Sequence, residues 1–256
     1  MYRFGLFKLS LIVLGFAAFP VFAQSEADYK AVKSQVEALK GDVDALKKQQ
    51  AAILEQLTQL KSMLGQQQAP SNPVIDLKDA PVTGAATAKV GIVEFTDYWC
   101  GFCARFARQT LPEIMKRYVE TGKVRYYLRD FAAQRGPKVA EAALCAGSQD
   151  KYWALHDKLF TNFGKYSDEE LDKYETEAGA DPTLVKKCVD SGRYSKLVAA
   201  GMEAGQAAGV SGTPTFMIGV IDPADPTKLK TERTVVGAQS IEQFQTALDE
   251  VLAQAK

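Results

Sequence analysis

From Tyr29 onward, apolar side chains recur in alternating steps of three and four. Tyr29, Val36, Val43, Gln50, Leu57 and Leu64 fall on one heptad position, a; Val32, Leu39, Leu46, Ile53 and Leu60 fall on the other, d. Gln50 is the one polar member of this narrow stripe, which has the spacing of a coiled-coil seam. Asp28 and Asp42 occupy position g, and Lys33, Lys40 and Lys47 occupy e. In a parallel pair, g of one helix meets the next e of its partner, so Asp28 faces Lys33 and Asp42 faces Lys47. Exposed pairs contribute only ~0.3–1 kcal/mol each, so they set orientation more than stability. Valine at a with leucine at d favours two strands, and Gln50 can fix register. The expectation is self-association in parallel through residues 26–64, as a homodimer ahead of a trimer. The alternative is one amphipathic helix folded back on its own domain, which a broader apolar stripe would fit better.

Gly65–Pro73 reads GQQQAPSNP, has no apolar periodicity and carries breakers at both ends, so it reads as a linker. A single domain then runs over residues 74–256. Val74–Leu77, Val90–Phe95, Val124–Arg129, Thr215–Ile218 and Thr231–Val236 read as strands. Ala104–Tyr118 reads as one helix with an apolar face. Residues 137–207 read as helices with Gly and Asp-Pro breaks, forming an insertion. Ser240 with Gln243 reads as a capping box opening a last helix, Ile241–Ala253. Strand, helix and strand, then hairpin and helix, define an α/β domain interrupted once.

The first residues read differently. Arg3 and Lys8 precede an apolar run, Leu9–Phe19, and small residues lead into polar Gln24-Ser25-Glu26. That is the pattern of a secretory signal over residues 1–23, cut after Ala23. An uncleaved anchor is the alternative, but Leu11–Ala23 is shorter than the ~18 residues needed to span. An oxidising, periplasmic setting permits disulfides. The chain has 31 basic and 31 acidic residues, and loss of the leader would remove two bases and no acid. Neither that balance nor any basic run supports nucleic-acid binding.

The candidate chemistry is Trp99-Cys100-Gly101-Phe102-Cys103, between the strand VGIVEF and a helix. Two intervening residues in a first helical turn bring two sulfurs within bonding reach. The first cysteine sits at the helix N-terminus, where unpaired N–H groups and the dipole favour a thiolate. Cys100 is therefore expected to attack and Cys103 to resolve the mixed disulfide. A zinc site would need two more ligands from Cys145, Cys188 and the single histidine, His156. Haem attachment would need a histidine at 104, which is alanine. An inert structural disulfide would not need the strand–helix setting. No metal and no cofactor is expected.

WCGFC after VEFTDY resembles the thioredoxin superfamily and, more specifically, its DsbA-like periplasmic thiol–disulfide oxidoreductases. AEAALCAGSQDKYWALHDKLF (140–160), CVDSGRY (188–194) and GVSGTPTFM (209–217) carry the resemblance further, and it covers about residues 74–256. It implies a thioredoxin fold with a helical insertion, preceded here by the coiled-coil helix 24–64. It also implies a cis peptide at Thr213-Pro214 opposite the CxxC. Trp99, Gly101, Phe102, Thr213 and Pro214 would border an extended substrate. Glu94, six residues before Cys100, would be a buried carboxylate that moves the proton of Cys103; a lone acid in an apolar run argues for burial. Its alternative is a strand-edge surface glutamate. His156 matches a histidine common in the insertion and reads as a packing and capping residue rather than a catalyst. Cys145 and Cys188 read as a structural disulfide of an exported protein, or else as two buried thiols.

The resemblance implies cysteine-containing exported proteins as substrates and a membrane redox partner of the DsbB or DsbD type. Within the family, Gly101-Phe102, Thr213 and the coiled coil resemble the isomerases and the oligomeric ScsC type. The domain as a whole resembles the DsbA-type oxidase, the alternative. A redox-inactive periplasmic chaperone or binding module is a third reading.

Overall fold

The computed structural model describes residues 21–65, 72–132 and 136–255. Most of the expected leader, and residues 66–71 of the expected linker, lie outside the described residues. The chain divides into two compact units, residues 1–67 and 68–256.

In the first unit, helix α1 spans Val21–Gly65, 45 residues, or about 68 Å at 1.5 Å per residue. The seam residues Tyr29, Val32, Val36, Leu39, Val43, Leu46, Ile53 and Leu57 are all exposed on the single chain. Lys40 pairs with Glu37 and Lys47 with Asp44 along the helix. Among the described residues, no helix is long and apolar enough to cross a membrane.

The second unit is built on a sheet of β1 (Val74–Asp76), β2 (Val82–Thr83), β3 (Val90–Thr96), β4 (Val124–Asp130), β5 (Thr215–Ile221) and β6 (Lys228–Val236). Its order is β1-β6-β5-β3-β4-β2. β3 runs parallel to β4 and antiparallel to β5, and every one of its residues is buried. That is why its sequence is an apolar run rather than an alternation. β2, a two-residue strand against β4, is too short to carry a sequence signal.

Helices α2 (Gly101–Gln109) and α3 (Leu111–Ile114), a π-helical turn (Met115–Val119) and the last helix, α9 (Ile241–Gln254), follow the CxxC and close the chain. Phe106, Ile114, Phe216, Ile218, Phe244 and Leu248 pack together there. The single helix expected over Ala104–Tyr118 is thus broken. Pro112 stands at the start of α3, and Thr110 leaves the helix, its hydroxyl donating to the Gln239 carbonyl at 3.0 Å. The expected capping box at α9 does not form either. Ser240 is the N-cap residue, but its side chain makes no cap bond and meets Glu242 instead.

The insertion comprises α4 (Gly136–Gly147), α5 (Tyr152–Thr161), α6 (Asp168–Glu177), α7 (Pro182–Asp190) and α8 (Ser195–Ala207). Asp181 caps α7, accepting from the amides of Thr183 and Leu184, with Pro182 opening the helix. Glycines let α8 approach the sheet closely. A Cβ on Gly201 would lie 2.4 Å from the Asp130 carbonyl oxygen, and one on Gly205 2.5 Å from Phe131. The insertion therefore packs directly over the end of the sheet where β3 enters the CxxC.

Candidate active site

Asp97 builds the turn between β3 and α2. Its carboxylate accepts from the Trp99 amide at 2.9 Å and its carbonyl from the Cys100 amide at 2.9 Å. Cys100 then takes the N-cap position of α2, with extended backbone, and its sulfur accepts from the Cys103 amide at 3.4 Å. A sulfur thus does the work usually given to a serine or aspartate oxygen. The placement follows from the spacing: a CxxC at a helix start puts the second cysteine in the first turn, facing the core. Cys103 is fully buried and Cys100 partly exposed, and neither is bonded to another cysteine.

The two thiols differ strongly. The Cys103 thiol, donating to Cys100, is the foremost cause that brings Cys100 down to about 5; the Thr213 side chain and the amides of Cys103 and Phe102 add to it, against the opposing effect of burial. The cause is therefore more specific than a helix dipole: the partner cysteine leads it. Burial pushes Cys103 far up, helped by its bond to Cys100 and by the nearby negative charge of Glu94. At neutral pH the site holds one thiolate at the surface and one thiol beneath it.

The Thr213-Pro214 peptide is cis. It brings the Thr213 carbonyl oxygen 3.2 Å from the Cys100 sulfur. Trp99 is half-buried, its ring edge-on to Tyr166 at 5.0 Å, while Gly101 and Phe102 are exposed. The Arg105 guanidinium lies 5.0 Å from the centre of the Phe102 ring. Of the five residues expected to border substrate, Trp99, Gly101, Phe102 and Thr213 are at least partly exposed, and Pro214 is buried.

Glu94 is buried beneath this surface, not at a strand edge. One carboxyl oxygen accepts from the Tyr126 hydroxyl, and Oε1 has no hydrogen-bond partner. Burial pushes its pKa up, against the opposing effects of Tyr126 and His156. Tyr126 carries no sequence signal as a site residue. Parallel register pairs Ile92 with Tyr126 and Glu94 with Leu128, and period two then puts Glu94 and Tyr126 on one face. Asp97 was equally overlooked, although an aspartate just before a turn is a recognisable signal. Asp130, at the end of β4, is raised to about 7 by burial and by Asp97.

His156 lies inside α5, not at a helix cap, and is fully buried among Tyr98, Trp153 and Phe160. The packing half of its expectation therefore agrees with the structure and the capping half does not. Cys145 of α4 and Cys188 of α7 are joined by a disulfide.

A buried thiol and a partly exposed thiolate at a strand–helix junction, facing a cis-proline loop, define a thioredoxin-fold dithiol protein. The family model described as thioredoxin matches residues 76–250, and the chain belongs to that family. It is 26% identical over 182 residues to a Rickettsia conorii protein provisionally named a protein-disulfide oxidoreductase, covering 68% of this chain and 61% of that one. The chain thus spans about six tenths of that relative's length. It is 25% identical to disulfide bond formation protein D of Bacillus subtilis, covering 60% of this chain and 70% of that one. Among solved structures it is similar to α-DsbA1 of Wolbachia pipientis: TM-score 0.61, 21% identity, 71% of this chain and 94% of that one. It is likewise similar to the catalytic domain of Proteus mirabilis ScsC: TM-score 0.55, 22% identity, 69% and 93%. These likenesses agree with the thioredoxin fold of the second unit.

Proposed function

We propose that this protein is an exported thiol–disulfide oxidoreductase that exchanges disulfides with cysteine-containing proteins through Cys100 and Cys103. The observation that carries the reading is the Cys100 sulfur, lowered to about 5 and held beside the Thr213 carbonyl at 3.2 Å. The Cys100 thiolate attacks one sulfur of a substrate disulfide, forming a mixed disulfide and releasing the other substrate sulfur as a thiolate. Cys103 then loses its proton, with Glu94 as the nearby base, and attacks the Cys100 sulfur. This closes the Cys100–Cys103 bond and frees the second substrate thiolate. Run backwards, the same steps oxidise a substrate. A membrane redox partner of the DsbB or DsbD type would reset the dithiol.

Isomerisation uses only the first half. Substrate held on the Trp99–Phe102 rim and the Thr213-Pro214 loop re-attacks its own mixed disulfide and releases Cys100. Two features favour it over pure oxidation: the Gly101-Phe102 dipeptide and the exposed heptad face of α1, on which a second copy would seat to form a homodimer. The leader pattern and the Cys145–Cys188 bridge support a periplasmic location. The DsbA-type oxidase remains the competing mode, and the redox state of the CxxC in cells separates them: oxidised for an oxidase, reduced for an isomerase. Insulin reduction tests the common core. The wild type should accelerate it and Cys100→Ala should not; equal rates would favour the redox-inactive binding module.

A further inference from the structure

Several segments frame the Cys100 sulfur. Residues 99–109 carry it into α2. Residues 209–214 bring the Thr213 carbonyl oxygen to 3.2 Å. Residues 236–240 lie behind that loop, the Gly237 amide donating to the Pro214 carbonyl at 2.8 Å. Residues 161–167 close another side: a Cβ on Gly101 would lie 3.8 Å from the Phe163 ring, and the Tyr166 hydroxyl donates to the Tyr98 carbonyl at 3.1 Å. The chain as a whole has equal numbers of acids and bases, yet these segments hold Arg105, Arg108 and Lys165 and no aspartate or glutamate. All three cations are exposed, and among the described residues none of them forms an ion pair. Asp97 and Glu94, the acids nearest to Cys100 in sequence, are buried.

Arg105 is held in place on this face. It follows Phe102 by about one helical turn, and its guanidinium lies 5.0 Å from the centre of that ring. Its Nη2 donates to the Ala238 carbonyl at 3.4 Å. Phe102 is 58% exposed, so the stacked pair faces solvent rather than core. A guanidinium carries several N–H donors in a fork, and the contact to Ala238 leaves others free for a carboxylate. A long surface side chain loses rotamer freedom when it pairs. The ring and the carbonyl already restrain Arg105, so pairing costs it less. Along the helix axis Arg105 lies about 7.5 Å past Cys100 at 1.5 Å per residue. Roughly two or three residues of extended chain cover that distance.

We propose that Arg105, with Arg108 and Lys165 beside it, is a specificity-determining residue: it directs Cys100 to disulfides whose cysteine has an aspartate or glutamate roughly two or three residues away. The proposal rests on the exchange reading above and adds the substrate class, an acidic polypeptide segment. The Cys100 thiolate attacks the substrate sulfur. One S–S bond forms as another breaks, and the second substrate sulfur leaves as a thiolate. The substrate carboxylate pairs with the Arg105 fork as the mixed disulfide forms. Arg108 and Lys165 raise the encounter rate for anionic chains and lower it for basic ones. An exposed ion pair of this kind changes a rate by about threefold. Between acidic and basic substrates, where attraction is exchanged for repulsion, the difference is about tenfold.

The test uses the reduced full-length protein and short peptides whose single cysteine is disulfide-bonded to an uncharged, coloured aromatic thiol. The peptides differ only in carrying Glu, Gln or Lys near that cysteine. Release of the coloured thiol reports attack by Cys100. At about 0.01 M salt the wild type should react about threefold faster with the Glu peptide than with the Gln peptide, and about tenfold faster than with the Lys peptide. At about 1 M salt, where screening acts within ~3 Å, the rates should converge. Arg105→Gln should cut the Glu-to-Lys ratio about threefold, and Arg105→Glu should bring it to about one. Each ratio compares two peptides on one protein, so a partly folded or less active variant does not distort it, and the salt series needs no variant. A wild-type ratio near one at low salt would overturn the proposal, as would a wild-type ratio retained in both variants. If the wild type releases no coloured thiol from any peptide, the exchange reading itself fails, and the specificity with it.

Discussion

The Cys100 sulfur and the Thr213 carbonyl oxygen lie 3.2 Å apart although 113 positions separate them in sequence. β3 delivers one and the cis-proline loop before β5 delivers the other, and the antiparallel pairing of those two strands holds them together. Whatever bonds to Cys100 is thereby placed alongside a backbone acceptor.

Cys100 should titrate as an acid far below an ordinary thiol. Its folded value, about 5, lies below the free-thiol value, so the thiolate fraction rises through pH 5 and is nearly complete at pH 7. Alkylation of the reduced protein, followed against pH, should therefore show a midpoint near 5 for one cysteine and no reaction of Cys103 while the fold holds. A midpoint at the ~8.5 of a free thiol would contradict this. Cys103→Ala, which removes the foremost hydrogen bond to the thiolate, should raise the midpoint.

Glu94 should cost stability at neutral pH. Its folded pKa is raised, so its contribution is most favourable below the ordinary carboxylate value of 4.5 and is lost as pH rises through the folded value. Glu94→Gln, whose carbonyl can still accept from Tyr126, should be more stable than the wild type by about 1–3 kcal/mol at pH 8. That advantage should vanish near pH 4. Denaturant unfolding at both pH values checks it. The variant should also resolve mixed disulfides more slowly.

The chain announced its chemistry more plainly than its supports. Cys100 and Cys103 were legible because their spacing and their position after an apolar strand have few other uses. Glu94 was legible as an acid where only apolar residues belong. The Asp181-Pro182 break in the insertion was legible because a proline acts locally, but that these two residues cap and open α7 came from the structure. Tyr126 was not, because strand register decides which residue meets Glu94, and register is a long-range property. The helix break near Pro112 was signalled by the proline and overridden by the apolar periodicity around it. At Ser240 the capping pattern was present, but Glu242 competed for the hydroxyl. His156 was legible as a packing residue, while the capping role also expected of it does not occur because it lies in the middle of α5.

Cys145 and Cys188 should stabilise without taking part in exchange. Their separation of 43 residues gives roughly 4 kcal/mol on the chain-entropy account. Replacing both with alanine should lower the unfolding free energy by about 2–4 kcal/mol while insulin reduction stays close to wild type. Full labelling of both residues in unfolded, unreduced protein would rule the bridge out.

Residues 26–64 should join at least two copies. The seam residues of α1 that the structure describes are exposed on one chain, and a second copy would cover them. Sedimentation of the mature protein at micromolar concentration should give a dimer, and deletion of residues 24–64 should give a monomer. The monomer should still reduce insulin, which needs one Cys100, but refold scrambled ribonuclease poorly, which needs a substrate held nearby. A monomeric full-length protein would contradict the pairing. A truncated form that isomerises normally would detach isomerisation from it.

Trapping tests the central claim most directly. In Cys103→Ser the resolving step is removed, so attack by Cys100 should leave a covalent adduct. Incubated with a disulfide-bonded protein at pH 6, this variant should accumulate a mixed disulfide at Cys100, one per chain by mass spectrometry. The adduct should be released by reductant and absent from Cys100→Ser. Failure to form it at pH 6, or an adduct carried by any other residue, would contradict the assignment of Cys100 as the nucleophile.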